Sequence, residues 1–256
     1  MRRRHIAVVI AIVLTLGAGA FYVYGRSLWY PLLLRITGPR TVADVVAKYG
    51  PAARARLLPH FRKAGVTYPP KSVALLVFKQ ERRVSLWADG RFIRAYPILA
   101  ASGHAGPKLR EGDYQVPEGL YRIAYLNPSS SYHLSMKVSY PNAFDLQMAK
   151  RDGRTQLGGD IFMHGKNLSI GCVAVGDPAI EELFTLVAQS GLARVRVLIA
   201  PNDLRARGAI VHPAAPLWVG ELYATLRKSL AAYPLEQESD ASFDVRGMPK
   251  VVPIFK

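Results

Sequence analysis

Twenty consecutive residues, Ile6 to Gly25, carry no charge, and Arg2-Arg3-Arg4-His5 stands directly before them. No other feature of this chain restricts its architecture as much. At ~1.5 Å per residue a helix of that length reaches ~30 Å, the hydrocarbon thickness of a bilayer. The basic flank favours a cytoplasmic N-terminus, which puts everything after Gly25 on the far side. Tyr22, Tyr24, Trp29 and Tyr30 stand where an interfacial aromatic belt would. The flanking arginines speak against a helix buried in a soluble core. A cleaved signal peptide is the competing reading, with Ala18-Gly19-Ala20 as its small-residue site. The apolar run continues past that site and exceeds a usual signal core, so an uncleaved anchor is favoured. Both readings export the chain.

Charge is the next constraint. The 256 residues include 34 Lys+Arg against 18 Asp+Glu, a formal +16 that invites a nucleic-acid reading. Residues 1–66 hold 11 of the basic residues and a single acid, Asp44, whereas the remaining 190 carry only +6. The excess is concentrated beside the apolar run, and no helix-turn-helix, zinc-finger or RNP-type pattern accompanies it, so nucleic acid is not an expected partner. The single cysteine, Cys172, excludes an intrachain disulfide and a Cys-rich zinc module. The length suits one domain with an appendage, or two small ones, and suffices for a real core.

Four segments follow from composition and pattern. Residues 1–25 form the anchor or signal sequence. Residues 26–69 form a basic connector, in which Thr41–Lys48 and Ala52–Ala64 read as two short helices interrupted at Gly50-Pro51. Tyr68-Pro69-Pro70 ends it, since successive prolines favour an extended entry. Residues 70–200 are β-rich: Ser72–Phe78, Arg83–Ala88, a turn at Asp89-Gly90, Phe92–Ala101, Tyr121–Tyr125, Tyr132–Tyr140, Asp160–His164 and Arg194–Ala200. One helix stands out there, with Asp177 as N-cap, Pro178 at its first position and Gly191 closing it. Residues 201–256 hold an amphipathic helix over Ala215–Tyr233 and an irregular tail.

Chemistry concentrates in Gly158–Asp177. A strand ends at His164, a loop bounded by glycines follows, and Cys172 sits between Gly171 and the helix begun at Asp177. A thiol must become a thiolate to attack a carbonyl, and a histidine within hydrogen-bond reach makes it one. A loop of eight residues can bring the two side chains together. Gly171 lets a carbonyl approach the backbone, whose N–H groups then suit an oxyanion hole. Spacing alone is weak evidence, because most lone cysteines are buried small hydrophobes. An unpaired thiol in an exported chain strengthens it. The Cys-before-His order of papain-like and NlpC/P60 peptidases is absent, and two ligands do not make a zinc site.

The His164-Gly165…Ser169-Ile170-Gly171-Cys172 pattern resembles the active-site signature of the L,D-transpeptidase catalytic domain (the YkuD-type family), in its YafK-like branch. Ser102-Gly103, Gly106-Pro107-Lys108…Gly112-Asp113 and Val116-Pro117-Glu118-Gly119-Leu120-Tyr121 are similar to another family segment, as are Tyr132-His133-Leu134-Ser135 and Tyr140-Pro141-Asn142. The resemblance covers roughly residues 70–200. It implies an α+β, β-rich fold: a YkuD-type β-sandwich catalytic domain with short helices, here preceded by an N-terminal transmembrane helix. It implies Cys172 as nucleophile and His164 as proton donor and acceptor, with the Gly165 carbonyl orienting the imidazole. Ser169 would support the loop, and the N–H groups of Gly171 and Cys172 would hold the oxyanion. Many members carry a second histidine where this chain has Ile170. No cofactor or metal is implied.

The implied partners are peptidoglycan stem peptides, the inner membrane and a wall-linked lipoprotein. The implied reaction is cysteine-dependent acyl transfer, with a hydrolytic carboxypeptidase or amidase as alternative and a silent, membrane-anchored wall-binding module as a second. The location is the inner membrane, single-pass with the catalytic domain in the periplasm, or the periplasm after signal cleavage. Lys166, Tyr132, His133 and Tyr140 are candidate substrate contacts, Lys166 because it lies between the catalytic partners. Lys108 is a further groove candidate. His104, in a Gly-rich loop, reads as a solvated histidine; His60 falls in the connector and His212 in the tail.

Overall fold

The structure is a computed structural model that describes residues 2–103, 106–209, 211 and 215–236. His104 and His212 lie outside them. Three helices come first: α1 (Arg2–Tyr24), α2 (Arg26–Thr37) and α3 (Val42–Ala64). The described apolar side chains of α1 face outward; Ile6, Val9, Leu14 and Leu16 are all more than half exposed. Counted over the described residues, no helix is long and apolar enough to cross a membrane. The anchor expected at residues 1–25 therefore has no support from that criterion.

Helix α3 replaces the two short helices expected around Gly50-Pro51. Thr41 and Asp44 close a capping box at its start, and Gly65, at φ 65°, ends it. Pro51 and Pro59 both lie inside it, and each removes one helical N–H donor. Packing outweighs that cost. Val45, Ala53, Leu57 and Phe61 are buried on the face toward a later helix. Gly50 has no side chain to hold the two backbones apart: a Cβ there would touch Thr185 Cγ2 at 3.6 Å.

Eight strands follow: β1 (Val73–Phe78), β2 (Arg83–Ala88), β3 (Arg91–Pro97), β4 (Gly119–Asn127), β5 (Ser135–Val138), β6 (Phe162–His164), β7 (Val173–Ala174) and β8 (Val195–Ala200). Helix α4 (Ala143–Arg151) lies between β5 and β6, α5 (Asp177–Ser190) between β7 and β8, and α6 (Trp218–Leu230) after β8. The strands form one sheet in the order β3-β2-β1-β8-β4-β5-β6-β7, not two stacked layers. Among the described residues, only β1–β8 and β6–β7 pair in parallel. Register shifts at Leu86/Trp87 and Ile123/Tyr125 bend the sheet. It curls until its edges meet: just past β3, the Leu99 N–H donates to the Ala174 carbonyl of β7 at 2.8 Å, and Ala174 N–H returns to the Ala100 carbonyl at 3.0 Å.

Both faces of the sheet centre are covered, which is why all six residues of β1 are buried rather than alternate ones. Val73, Leu75 and Val77 pack with Leu57 and Phe61 of α3 and with Leu183, Phe184 and Val187 of α5. Ala74, Leu76 and Phe78 pack with Trp218, Leu222, Leu226 and Leu230 of α6. Helix α2 was not anticipated, and neither were α4 and β7. Helix α4 is capped by Asn142, whose side chain accepts from the Asp145 N–H while Asp145 accepts from the Asn142 N–H. Strand β7 is only two residues long. At α5 the N-cap is Gly176, at φ 84°, and not Asp177. Asp177 instead turns its carboxylate to Lys166, taking the backbone N–H at 2.8 Å and Nζ at 2.7 Å.

Candidate active site

Strands β6 and β7 set the site. Their parallel register pairs Met163 with Val173 and His164 with Ala174. Continued by one residue, it puts Cys172 opposite Phe162. Side chains two apart on a strand share a face, so Phe162, His164 and Cys172 project to the same side. The Phe162 N–H donates to Cys172 Sγ at 3.4 Å, and the thiol reaches the Asp160 carbonyl at 3.5 Å. A cavity of about 310 Å³ opens on this face, lined by His164, Cys172, Ser169, Tyr132, Phe162 and Asp160 among others.

His164 is buried. Its Nδ1 lies 2.6 Å from the Gly165 carbonyl, and a carbonyl oxygen only accepts, so Nδ1 carries the proton. Nε2 is then the basic nitrogen of the neutral ring. Tyr132 covers the imidazole, with ring centroids 4.7 Å apart. Gly165 has no room for a side chain: a Cβ there would stand 2.6 Å from Asp177 Oδ1 and 2.8 Å from the Tyr132 carbonyl. Burial lowers the His164 pKa, and the Gly165 hydrogen bond offsets only part of that. Burial also raises the thiol pKa of Cys172, against the Phe162 N–H and the charges of Lys137 and Lys108. Both groups are therefore neutral at rest.

The loop between the two residues is tied down by hydroxyls. Ser169 Oγ accepts from the Cys172 N–H at 2.9 Å and donates to the Cys172 carbonyl at 2.7 Å. Gly171, at φ 86°, takes a conformation that L side chains rarely adopt. Its N–H donates to Ser102 Oγ, which itself donates to the Tyr114 carbonyl at 2.8 Å. Both N–H groups expected to hold an oxyanion thus already have serine partners. Ser102 is the residue whose part here the sequence did not disclose, although it stands in a segment shared with the family.

The other candidates separate. Tyr132 lines the cavity. Lys166 is spent on Asp177. His133 turns away, its Nε2 at 3.0 Å from Glu181 Oε1 and its ring edge-on to Tyr49. Tyr140 is buried and donates to the Leu157 carbonyl at 3.3 Å. Lys108 is buried, its Nζ on Asp113 at 2.6 Å. None of these four lines the cavity. Residues not anticipated do so: Asn127, Ser130, Ser131, Ser135, Asp160 and Phe162. Lys137 stands nearby, 3.1 Å from Asp160 Oδ1 and 5.0 Å from the Phe162 ring centre. Among the described residues no cluster of His, Cys, Asp and Glu could hold a metal ion.

Comparison with known proteins gives this geometry a family. The model of the L,D-transpeptidase catalytic domain (YkuD) matches residues 72–199, a span that opens just before β1 and closes within β8. The Escherichia coli K12 protein named "Putative L,D-transpeptidase YafK" is 33% identical over 138 residues, covering 50% of this chain and 54% of that protein. The chain thus spans about half the length of the curated relatives it matches. Among solved structures, the helical cell shape determining protein Pgp2 from Campylobacter jejuni is 26% identical at a TM-score of 0.42, over 52% of this chain and 48% of that one. L,D-transpeptidase 1 of Mycobacterium tuberculosis is 12% identical at a TM-score of 0.30, over 50% of this chain and 61% of that one. With the family model spanning half of its length, from the first strand of the sheet to the last, this chain belongs to the L,D-transpeptidase catalytic domain (YkuD) family.

Proposed function

We propose that the protein is a cysteine-dependent acyltransferase acting on peptidoglycan stem peptides, with Cys172 as nucleophile and His164 as its base and acid. The observation that carries this reading is the Nδ1–H of His164 held on the Gly165 carbonyl. It leaves Nε2 as the acceptor nitrogen in the cavity that Cys172 shares. With both groups neutral at rest, the thiolate forms only as the attack proceeds. The Cys172 proton passes to Nε2 while the sulfur bonds to the carbonyl carbon of the third stem residue. The tetrahedral oxyanion then takes the N–H groups of Gly171 and Cys172, which exchange Ser102 and Ser169 for it. Collapse breaks the amide bond, His164 protonates the departing D-residue amine, and a thioester remains on Cys172.

The acceptor names the reaction: an amine on a second stem or on a lipoprotein makes it a transpeptidation, and water a hydrolysis. Replacing Cys172 by Ala should abolish processing of purified stem peptides, with the circular dichroism spectrum unchanged; full activity in that variant would overturn the assignment. Mass spectrometry of wild-type products, with and without an added amine, separates the two outcomes. An exchanged product marks transfer and trimmed stems alone mark hydrolysis.

We also propose that the domain works in the periplasm, tethered at its N-terminus to the inner membrane. The uncharged run Ile6–Gly25 behind Arg2-Arg3-Arg4 supports this, as do the outward-facing apolar side chains of α1. Retention in the membrane fraction after a carbonate wash is expected, and release of a shortened chain would point to signal cleavage.

A further inference from the structure

A second cavity, of about 510 Å³, shares no lining residue with the Cys172 site. Sheet register explains it. Trp87 of β2 pairs with Ala74 of β1, Ala74 with Arg196 of β8, and Arg196 with Arg122 of β4. These four residues form one row across the sheet on the face that α6 covers. Helix α6 ends at Leu230, and beyond it Tyr233 meets Trp87 edge-on with ring centroids 5.2 Å apart. Ala74 contributes only a methyl group, so a trough is left between the aromatic pair and the two arginines. Lys71 and Arg194 also line it.

The trough holds four cations and one acid, and the acid is committed. The Asp89 carboxylate accepts from Ser72 N–H at 2.7 Å, Ser72 Oγ at 3.1 Å and Lys71 N–H at 3.2 Å. Among the described residues none of Lys71, Arg122, Arg194 and Arg196 forms an ion pair; Arg122 Nη1 donates only to the Ala193 carbonyl, at 3.1 Å. Like charges directly opposite each other on neighbouring strands are destabilising, and here exposed Arg122 faces exposed Arg196 with no carboxylate paired to either among the described residues. Two planar guanidiniums on directly paired residues of one trough, neither bound to a carboxylate among the described residues, suit the oxygens of a phosphate group.

We propose that this trough is a phosphate-binding site, separate from the Cys172 centre, that takes a phosphomonoester or phosphodiester group through Arg122 and Arg196. Such a group comes from an anionic phospholipid headgroup or from a soluble phosphate, and the same chemistry serves both. The proposal does not depend on the reaction assigned to Cys172.

The test uses the full chain in neutral detergent, melted in chloride and in inorganic phosphate or pyrophosphate at matched ionic strength. Wild type should melt higher in the phosphates. Arg196→Gln should melt at the same or a higher temperature than wild type in chloride, because a like-charge pair is removed. It should lose the phosphate-dependent rise and bind pyrophosphate at least ~10-fold more weakly by calorimetry. Flotation with vesicles tells the sources apart. Wild type exceeding R122Q/R196Q on phosphatidylglycerol vesicles, with the two equal on phosphatidylcholine, assigns the headgroup. Equal flotation on both, with the soluble-phosphate rise present, assigns a free phosphate. The proposal is overturned if wild type shows neither a phosphate-specific rise nor a phosphatidylglycerol preference over R122Q/R196Q. It is also overturned if Arg196→Gln lowers the melting temperature in chloride, which would make Arg196 a structural residue.

Discussion

At the scale of single residues, the site is governed by what burial does to a thiol and an imidazole. Cys172 sits where desolvation outweighs the Phe162 N–H and two nearby lysines, so its pKa stands above the ordinary 9.0. Burial pushes His164 below the ordinary 6.5. A reactive cysteine in a preformed ion pair has the opposite signature. Alkylation of Cys172 by iodoacetamide should therefore keep accelerating into the alkaline range, with a midpoint above that of a free thiol. If His164 is the base, as proposed, the acid limb of kcat/KM should lie below pH 6.5, because an imidazole accepts a proton only when neutral and this one stays neutral down to its lowered pKa. A flat alkylation rate from pH 6 to 8 would mean a preformed thiolate and would overturn this account. The proposed Cys172–His164 pair was readable from sequence because its residue types are rare and Gly171, at φ 86°, marks backbone that L side chains rarely adopt. Ser102 was not, since a serine 69 residues from Gly171 carries no pattern that points there.

At the scale of elements, the connector is not a loose spacer. Helix α3 is joined to the sheet and to α5 through Glu182, whose side chain is 3% exposed. Its Oε1 takes Arg56 Nε of α3 at 2.6 Å, and its Oε2 takes Arg94 Nη1 at 3.0 Å and the Tyr96 hydroxyl at 2.9 Å. Removing one member of a buried charged network leaves its partners uncompensated. Glu182→Gln should cost ~2–3 kcal/mol, toward the low end for such networks because both arginines keep some water. Urea denaturation at neutral pH measures it, and a change below ~0.5 kcal/mol would mean the network is no more than a surface ion pair. The sequence placed a helix break at Gly50-Pro51 because local propensity favours one. The long helix survives because its buried face on α5 outweighs one lost hydrogen bond, and that face is set by residues more than 120 positions away.

At the scale of the molecule, helix α6 belongs to the sheet rather than trailing from it. Leu226 and Leu230 are fully buried against Leu76 and Phe78, and Tyr223 donates to buried Glu118 at 2.7 Å. Leu226→Ala should cost ~2–5 kcal/mol and lower a single transition seen alike by tryptophan fluorescence and circular dichroism. A separate early transition for α6 would mean that it is an appendage after all. By itself the sequence determined the family, most of the strand segments and the helices α5 and α6, because each rests on local pattern or on rare residues at short spacing, and it supplied the Cys172–His164 pair on which the proposed function rests. Only the tertiary structure decided the rest. The sheet curls and closes through Leu99, Ala100 and Ala174; Ser102 and Ser169 occupy the N–H groups beside the thiol; Lys166, His133 and Tyr140 turn to partners outside the cavity; and Arg122 meets Arg196. Each of these depends on register between segments far apart in the chain, where one residue of slip would turn every side chain to the other face.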